Sequence, residues 1–210
     1  MLVTMEIQRD WTPSTLAKMS ASSGFKYRIR RMKPRDITRV AALEQRVFAD
    51  PWPAMAYVQE LYFNPIARYF VLETWMTSPK LRSLLRKQAF DIEIQGFAGV
   101  RTESGRGHIS TLAIHPSWRG YGFGELLLIT VLETAIEMGA KNVTLEVRVS
   151  NKIAQSLYRK YTFHRIGQLH RYYKDGEDAA LMEVDTSASG YEEWLKTQRQ
   201  LLERRIAALQ

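Results

Sequence analysis

Ile109-Ser110-Thr111-Leu112-Ala113-Ile114-His115-Pro116-Ser117-Trp118-Arg119-Gly120-Tyr121-Gly122-Phe123-Gly124 is the stretch whose reading decides the fold. Its apolar first half empties through glycines into the helical stretch Glu125 to Met138. A strand that turns into a helix this way points several backbone N–H groups and the positive end of a helix dipole at one spot. That spot suits a phosphate. Glycine there admits close backbone approach and supplies positive φ where the loop needs it. No Gly-Lys-Ser/Thr follows, so the turn is not a Walker loop. The Gly-x-Gly-x-Gly spacing of Gly120, Gly122 and Gly124, set mid-chain, fits the dinucleotide fingerprint poorly. A plain tight connection remains an alternative on this stretch alone.

Working outward, Asn142 to Val149 alternates with period two: Val143, Leu145, Val147 and Val149 on one face, Thr144, Glu146 and Arg148 on the other. Ser150-Asn151 then opens a helix over Lys152 to Tyr161. Upstream, the patterns predict a strand at Lys26 to Met32, helices at Pro34 to Phe48 and Ala54 to Tyr62, and strands at Tyr69 to Thr74, Gln95 to Thr102 and His108 to Ile114. Downstream they predict strands at Phe163 to Tyr173 and Ala179 to Val184, then an amphipathic helix over Tyr191 to Leu209. This order implies an α/β chain of the α+β type, with a mixed, mostly antiparallel central sheet flanked by helices.

Five stretches in this order resemble the GNAT superfamily of N-acetyltransferases, most closely the ribosomal-protein-alanine (RimI-like) type. They are Glu44 to Phe48 with Pro51-Trp52; Leu112 to Pro116; Arg119 to Gly124; Leu145 to Asn151 with Ala154 and Leu157-Tyr158; and Tyr172 to Ala179. The resemblance implies two central strands that splay apart, with acetyl-CoA as cosubstrate entering the gap. Leu112, Ala113 and Ile114 would pair with its pantetheine arm, Gly120, Tyr121, Gly122, Phe123 and Gly124 would hold the pyrophosphate, and Asn151 would lie beside the cofactor. It places the general base on Glu146 and the acid for the departing thiolate on Tyr158. Tyr172 and Tyr173 would border the acceptor, one of two adjacent strand tyrosines closing over a peptide backbone.

These roles suit the chemistry. Acyl transfer requires a neutral amine and a proton for the leaving sulfur. An α-amine with pKa about 8 is roughly one-tenth neutral at pH 7, whereas a lysine near 10.4 is neutral in only about one molecule in a few thousand. The expected acceptor is therefore a protein or peptide N-terminus, a ribosomal protein among the candidates, with lysine, polyamine or another small amine as the alternative and an acyl-CoA-binding regulatory module as the non-enzymatic one. Read on periodicity alone, Glu146 also fits a solvated carboxylate paired with Arg148 or with a neighbouring strand, Tyr158 a core residue, Asn151 a helix cap, and Arg119 a surface arginine as well as a phosphate contact. His108 and His115 read as strand-end surface residues, and no metal site is expected.

The 210 residues, 45% of them hydrophobic, suffice for one catalytic domain at 25–186. Residues 1–24 read as a poorly ordered lead-in and 187–210 as an added helix that packs on the domain or on a second subunit, leaving a monomer or a homodimer open. With no cysteine there is no thiol nucleophile, so direct transfer is expected. The chain shows neither a membrane span nor a signal peptide, and a cytoplasmic protein is expected. Between Lys26 and Lys87 stand 13 basic and 5 acidic residues, an excess equal to the whole net charge of +8. No RNA-binding motif accompanies it, and no specific nucleic-acid partner is expected. Trp75 to Ile94 is long for a hairpin connection and holds a possible helix at Pro79 to Gln88, and Thr162 stands where relatives commonly have glycine.

Overall fold

The computed structural model describes residues 25–76 and 93–209. The lead-in 1–24 and the helix expected within 79–88 lie outside the described residues.

Alternating apolar positions build one seven-stranded sheet: β1 (Phe25–Arg31), β2 (Ala67–Met76), β3 (Glu93–Glu103), β4 (Arg106–Ile114), β5 (Asn142–Arg148), β6 (His164–Leu169) and β7 (Ala179–Asp185). Their order in space is β1-β2-β3-β4-β5-β7-β6, antiparallel throughout except for β4 against β5. Helices α1 (Ile37–Val47) and α2 (Ala54–Tyr62) pack on one face. The other face carries α3 (Phe123–Glu137), α4 (Lys152–Lys160) and α5 (Tyr191–Ala207). The mostly antiparallel sheet with helices on both faces is the architecture the patterns imply.

α3 is apolar around most of its circumference because it is covered twice. Leu126 through Ile129, Val131, Leu132 and Ala135 are buried between the sheet and α5. α5 is anchored across α3 by Arg199, whose guanidinium bonds both Glu133 oxygens and Thr130 Oγ1. Its first residue, Tyr191, donates to the Tyr161 carbonyl at the end of α4. The added helix thus packs on its own domain.

Two irregularities place functional groups. Ser110 is an extra residue in β4, between the pairs Gly99↔Thr111 and Val100↔Ile109. This bulge shifts the alternation so that Ala113, Thr111 and His108 share the α1/α2 side of the sheet. Across from it, Gly99 leaves room for the Tyr69 ring, since a Cβ there would lie 2.1 Å from Tyr69 Cε1.

Candidate active site

The site is built on the one parallel contact among the described strands. β4 and β5 are hydrogen-bonded only where Arg106–His108 meet Asn142–Thr144. Beyond that point β4 stays with β3 and β5 stays with β7, and the two central strands part. The edge of Leu112, Ala113 and Ile114 facing β5 lies outside any ladder, so an extended chain bearing amides can pair there. Gln155, buried on α4, holds the far lip open by donating to the carbonyls of Arg148 and Val149, both at 3.0 Å.

At the mouth of the gap the glycine loop turns into α3. Gly120 and Gly122 take φ of 85° and 88°, and Gly122 is the N-cap. The N–H groups of Gly120, Tyr121, Gly122, Phe123 and Gly124 donate to no group among the described residues, those from Gly122 onward because the first turn of a helix leaves them so. The rings of Tyr121 and Phe123 turn away and pack with Trp118 and Phe25 at centroid distances of 5.2–6.4 Å. Their backbone is left to the loop. Arg119 Nε donates to the Ile114 carbonyl at 3.3 Å, tying the loop to the end of β4. The cradle fits a pyrophosphate, and the unladdered edge beside it fits the arm that carries one.

The inner end of the gap holds the titratable groups. Glu146 projects from β5 with its side chain 18% exposed, and burial raises its pKa. It does not pair with Arg148. That guanidinium is taken by Asp175 and Glu177, each at 2.7 Å, and lies 3.9 Å over the Tyr173 ring. The neighbour of Glu146 is His108, its Nε2 3.4 Å from Glu146 Oε2. Reading His108 as a strand-end surface residue is thus corrected. β4 starts two residues earlier than the pattern predicts, and the Ser110 bulge turns the imidazole into the gap. Only the period slip between Ile109 and Thr111 could have hinted at it.

Burial, with the nearby Arg101 charge, lowers the His108 pKa to about 4, so the ring is neutral at pH 7. The 3.4 Å approach is then no ion pair. Thr144 Oγ1 donates to the Gly107 carbonyl and so accepts from His108 Nδ1–H at 3.2 Å. That assignment leaves Nε2 a bare acceptor facing the Glu146 carboxylate.

Tyr158, buried on α4 with its ring 5.8 Å from Phe163, has its pKa pushed up to about 12 by burial and by Tyr173. Its hydroxyl stays protonated at neutral pH. Asn151 is an exposed N-cap whose Oδ1 accepts from Ala154 N at 3.1 Å. Tyr172 and Tyr173 lie beside Glu146, whose charge raises both their pKa values after burial, but they are not on a strand. β6 ends at Leu169, and Arg171 turns through φ of 50° while Asp178 accepts from its amide. The two rings meet edge to face at 5.2 Å instead of taking opposite faces.

On the α1/α2 side, Glu44 is sealed in. It accepts from Trp52 N and Tyr57 Oη and fixes the turn between the two helices. Asp50 in that turn bonds Lys174 of the β6–β7 connection, joining the two loops that flank the gap. His115 is partly buried, its Nδ1 accepting from Ser117 N.

A sheet opened between two parallel strands, with free amides at the mouth and proton-handling groups at the far end, defines a class. Its shape offers room for an extended ligand along the open strand edge and for a phosphate at the helix start. The acetyltransferase (GNAT) family model matches residues 44–163, and the chain belongs to that family of acetyl-CoA-dependent N-acetyltransferases. It is 34% identical over 157 residues to a Bacillus subtilis protein provisionally named a ribosomal protein bS18-alanine N-acetyltransferase, covering 74% of this chain and 93% of that one. An N-alpha-acetyltransferase of Sulfurisphaera tokodaii is 30% identical over 175 residues, covering 77% and 95%. The crystal structure of the ribosomal-protein-S18-alanine N-acetyltransferase from Escherichia coli shares the fold at a TM-score of 0.63 and 24% identity, over 79% of this chain and 97% of that one. No helix among the described residues is long and apolar enough to cross a membrane.

Proposed function

We propose that the chain acetylates the α-amine of a protein N-terminus. Alanine-initiated sequences, ribosomal proteins among them, are the preferred class. The carrying observation is the facing pair Glu146 and His108, two proton acceptors beside the divergence of β4 and β5, with the protonated Tyr158 in the adjoining helix. The names of the two relatives above support an N-terminal acceptor, and the Bacillus name supports alanine.

Acetyl-CoA supplies a thioester carbonyl at the end of its arm. The edge of Leu112 to Ile114 holds the arm, and the amides of Gly120 to Gly124, with Asn151 beside them, hold the phosphate end. Glu146, its pKa raised, takes a proton from the α-ammonium through a water, and His108 Nε2 shares that proton and orients the water. The neutral nitrogen attacks the thioester carbon. As the C–S bond breaks, the Tyr158 hydroxyl gives its proton to the sulfur and recovers one from the new amide nitrogen through solvent. Tyr172 and Tyr173, with the Asp50–Lys174 bridge, bound the entrance for an extended peptide. An α-amine near pKa 8 needs little help to shed its proton, which matches a base of modest strength.

The test is mass spectrometry of peptides differing only at residue one, incubated with the protein and acetyl-CoA. Acetyl on the α-nitrogen of the alanine-initiated peptide is expected. Acetyl confined to lysine side chains or polyamine controls would overturn the assignment.

A further inference from the structure

A second concave region lies outside the gap. Where α3, α4 and α5 meet, a cavity of about 290 Å³ is lined by Glu125, Lys160, Gln198, Leu201, Leu202 and Arg205. We infer that this cavity receives the 3′-phosphoadenosine end of coenzyme A, with Arg205 and Lys160 on its 3′-phosphate, so that the C-terminal helix completes the cofactor site. The inference rests on the acetyl-CoA reading above and adds Arg205 and its α5 neighbours, which the GNAT match, ending at 163, does not reach.

Three observations converge. First, α5 is fixed against the phosphate loop itself. A Cβ on Gly122 would stand 2.9 Å from Leu202 Cδ1, 3.4 Å from Ile206 Cγ1 and 3.4 Å from Arg205 Nη2, so the guanidinium lies at the rim of the loop. Second, one carboxylate holds two cations. Glu125, in the first turn of α3 and 11% exposed, accepts from Lys160 Nζ, from Tyr161 Oη at 2.6 Å and from Arg205 Nη2 at 2.7 Å. The cluster keeps a net positive charge. Lys160 and Arg205 are 46% and 55% exposed, and each has further N–H donors to offer. Third, the apolar side of the cavity is open. Leu201 is 53% exposed at its edge, an apolar contact for an adenine face.

The chemistry of the ligand links these. In coenzyme A the ribose 3′-phosphate sits one sugar away from the pyrophosphate. A ligand whose pyrophosphate rests on the amides of Gly120 to Gly124 therefore carries a dianion within reach of the groups beside the start of α3. A guanidinium and an ammonium steadied by a shared carboxylate meet that dianion already positioned.

The experiment is titration calorimetry of the full chain with coenzyme A and with dephospho-coenzyme A, which lacks only the 3′-phosphate. The variants are Arg205→Gln, Lys160→Gln and the double variant, with Arg204→Gln as a charge-matched control one residue away. The parent should bind coenzyme A about tenfold or more tightly than the dephospho form, the scale of one or two charge-assisted hydrogen bonds. Each single variant should shrink that ratio and the double variant bring it near one. Affinity for the dephospho form should stay within about twofold, and Arg204→Gln should keep the parent ratio. A parent ratio near one, or a folded double variant that keeps the parent ratio, overturns the inference while leaving the acetyl-CoA reading intact. A folded parent that binds neither nucleotide overturns both. Should the double variant unfold in a thermal melt, Lys160→Gln decides, because α5 remains anchored through Tyr191 and Arg199.

Discussion

Glu73 on β2 and Glu146 on β5 are both partly or fully buried carboxylates on strands of one sheet, yet their surroundings push them in opposite directions. Burial opposes the charge of Glu73, but hydrogen bonds from Arg30 and Arg28 outweigh it and hold the pKa low. Arg30 also grips Asp36 through both oxygens, so the outer edge of the sheet carries a closed network of charge. At Glu146 burial wins. Its neighbour is a neutral imidazole, and the adjacent arginine on its strand is bound elsewhere. A carboxylate whose lone pairs are filled by guanidinium serves structure, and one facing a second acceptor is left free to take a proton.

The sharpest way to break this comparison is the same substitution at both places. Glu146→Gln should lower kcat by about 10²–10⁴-fold with an unchanged melting temperature, the range of a lost general base. In the parent, the active carboxylate form is lost as pH falls through its raised pKa, so the acid limb of kcat should fall above the ordinary glutamate range. The variant should lack that inflection. Stopped assays across pH 4–9 read both, and a variant that turns over like the parent would remove Glu146 from the mechanism.

Glu73→Gln should do the reverse, leaving kcat near the parent value and costing about 3 kcal/mol of stability, since two arginines lose a charged partner. Because Glu73 and Asp36 have lowered pKa values, their contribution is present above the unfolded carboxylate pKa of about 4 and is lost as pH falls through the folded values. The gap between parent and variant, measured by urea unfolding, should therefore narrow below about pH 4. A constant gap would mean that the cost is one of shape, not of charge.

Tyr158→Phe sharpens the other half of the site. A loss in kcat of about 10–10²-fold with little change in affinity for the cosubstrate is expected. Because the parent hydroxyl titrates near 12, kcat should show no alkaline fall from this residue across the usable range. An inflection near 9 that vanishes in the variant would show a tyrosine far less buried than the structure has it.

How legible the site was in the sequence follows from which interactions are local. The glycine loop, the Asn151 cap and the alternation around Glu146 are set by neighbours within a few residues, and the elements formed there within one or two residues of their expected ends. His108 was missed because its place depends on a one-residue bulge and on pairing with a strand 36 residues on, neither of which local periodicity records. The strand expected through Tyr173 stops at Leu169 for a similar reason. Asp178 takes the Arg171 amide, Asp175 and Glu177 hold the β6–β7 connection against Arg148, and no pattern in residues 164–173 announces those bonds. The partner of α5 was legible only as an apolar stripe; that it covers α3 needed the fold.

The smallest effect concerns the turn after α4. Thr162 takes φ of 64°, the left-handed region where a β-branched residue costs about 1–2 kcal/mol. The turn is kept despite the cost because both sides of it are fixed: Thr162 N bonds the Arg159 carbonyl, Phe163 N bonds the Tyr158 carbonyl, and the Tyr161 carbonyl accepts from Tyr191. Thr162→Gly relieves the strain. Against that gain stand the greater freedom of glycine in the unfolded chain, about 0.4–1 kcal/mol, and the loss of a hydroxyl near Tyr191. The net expectation is a rise of about 0.5–1 kcal/mol in unfolding free energy, about 1–4 °C in melting temperature for a chain of this size. kcat should stay at the parent value, because the turn only carries Tyr158 on a helix already pinned by Gln155. A fall in stability of the same size would show the Thr162 hydroxyl to be a working clasp between α4 and α5, making the added helix part of the turn's support rather than a cover laid over it.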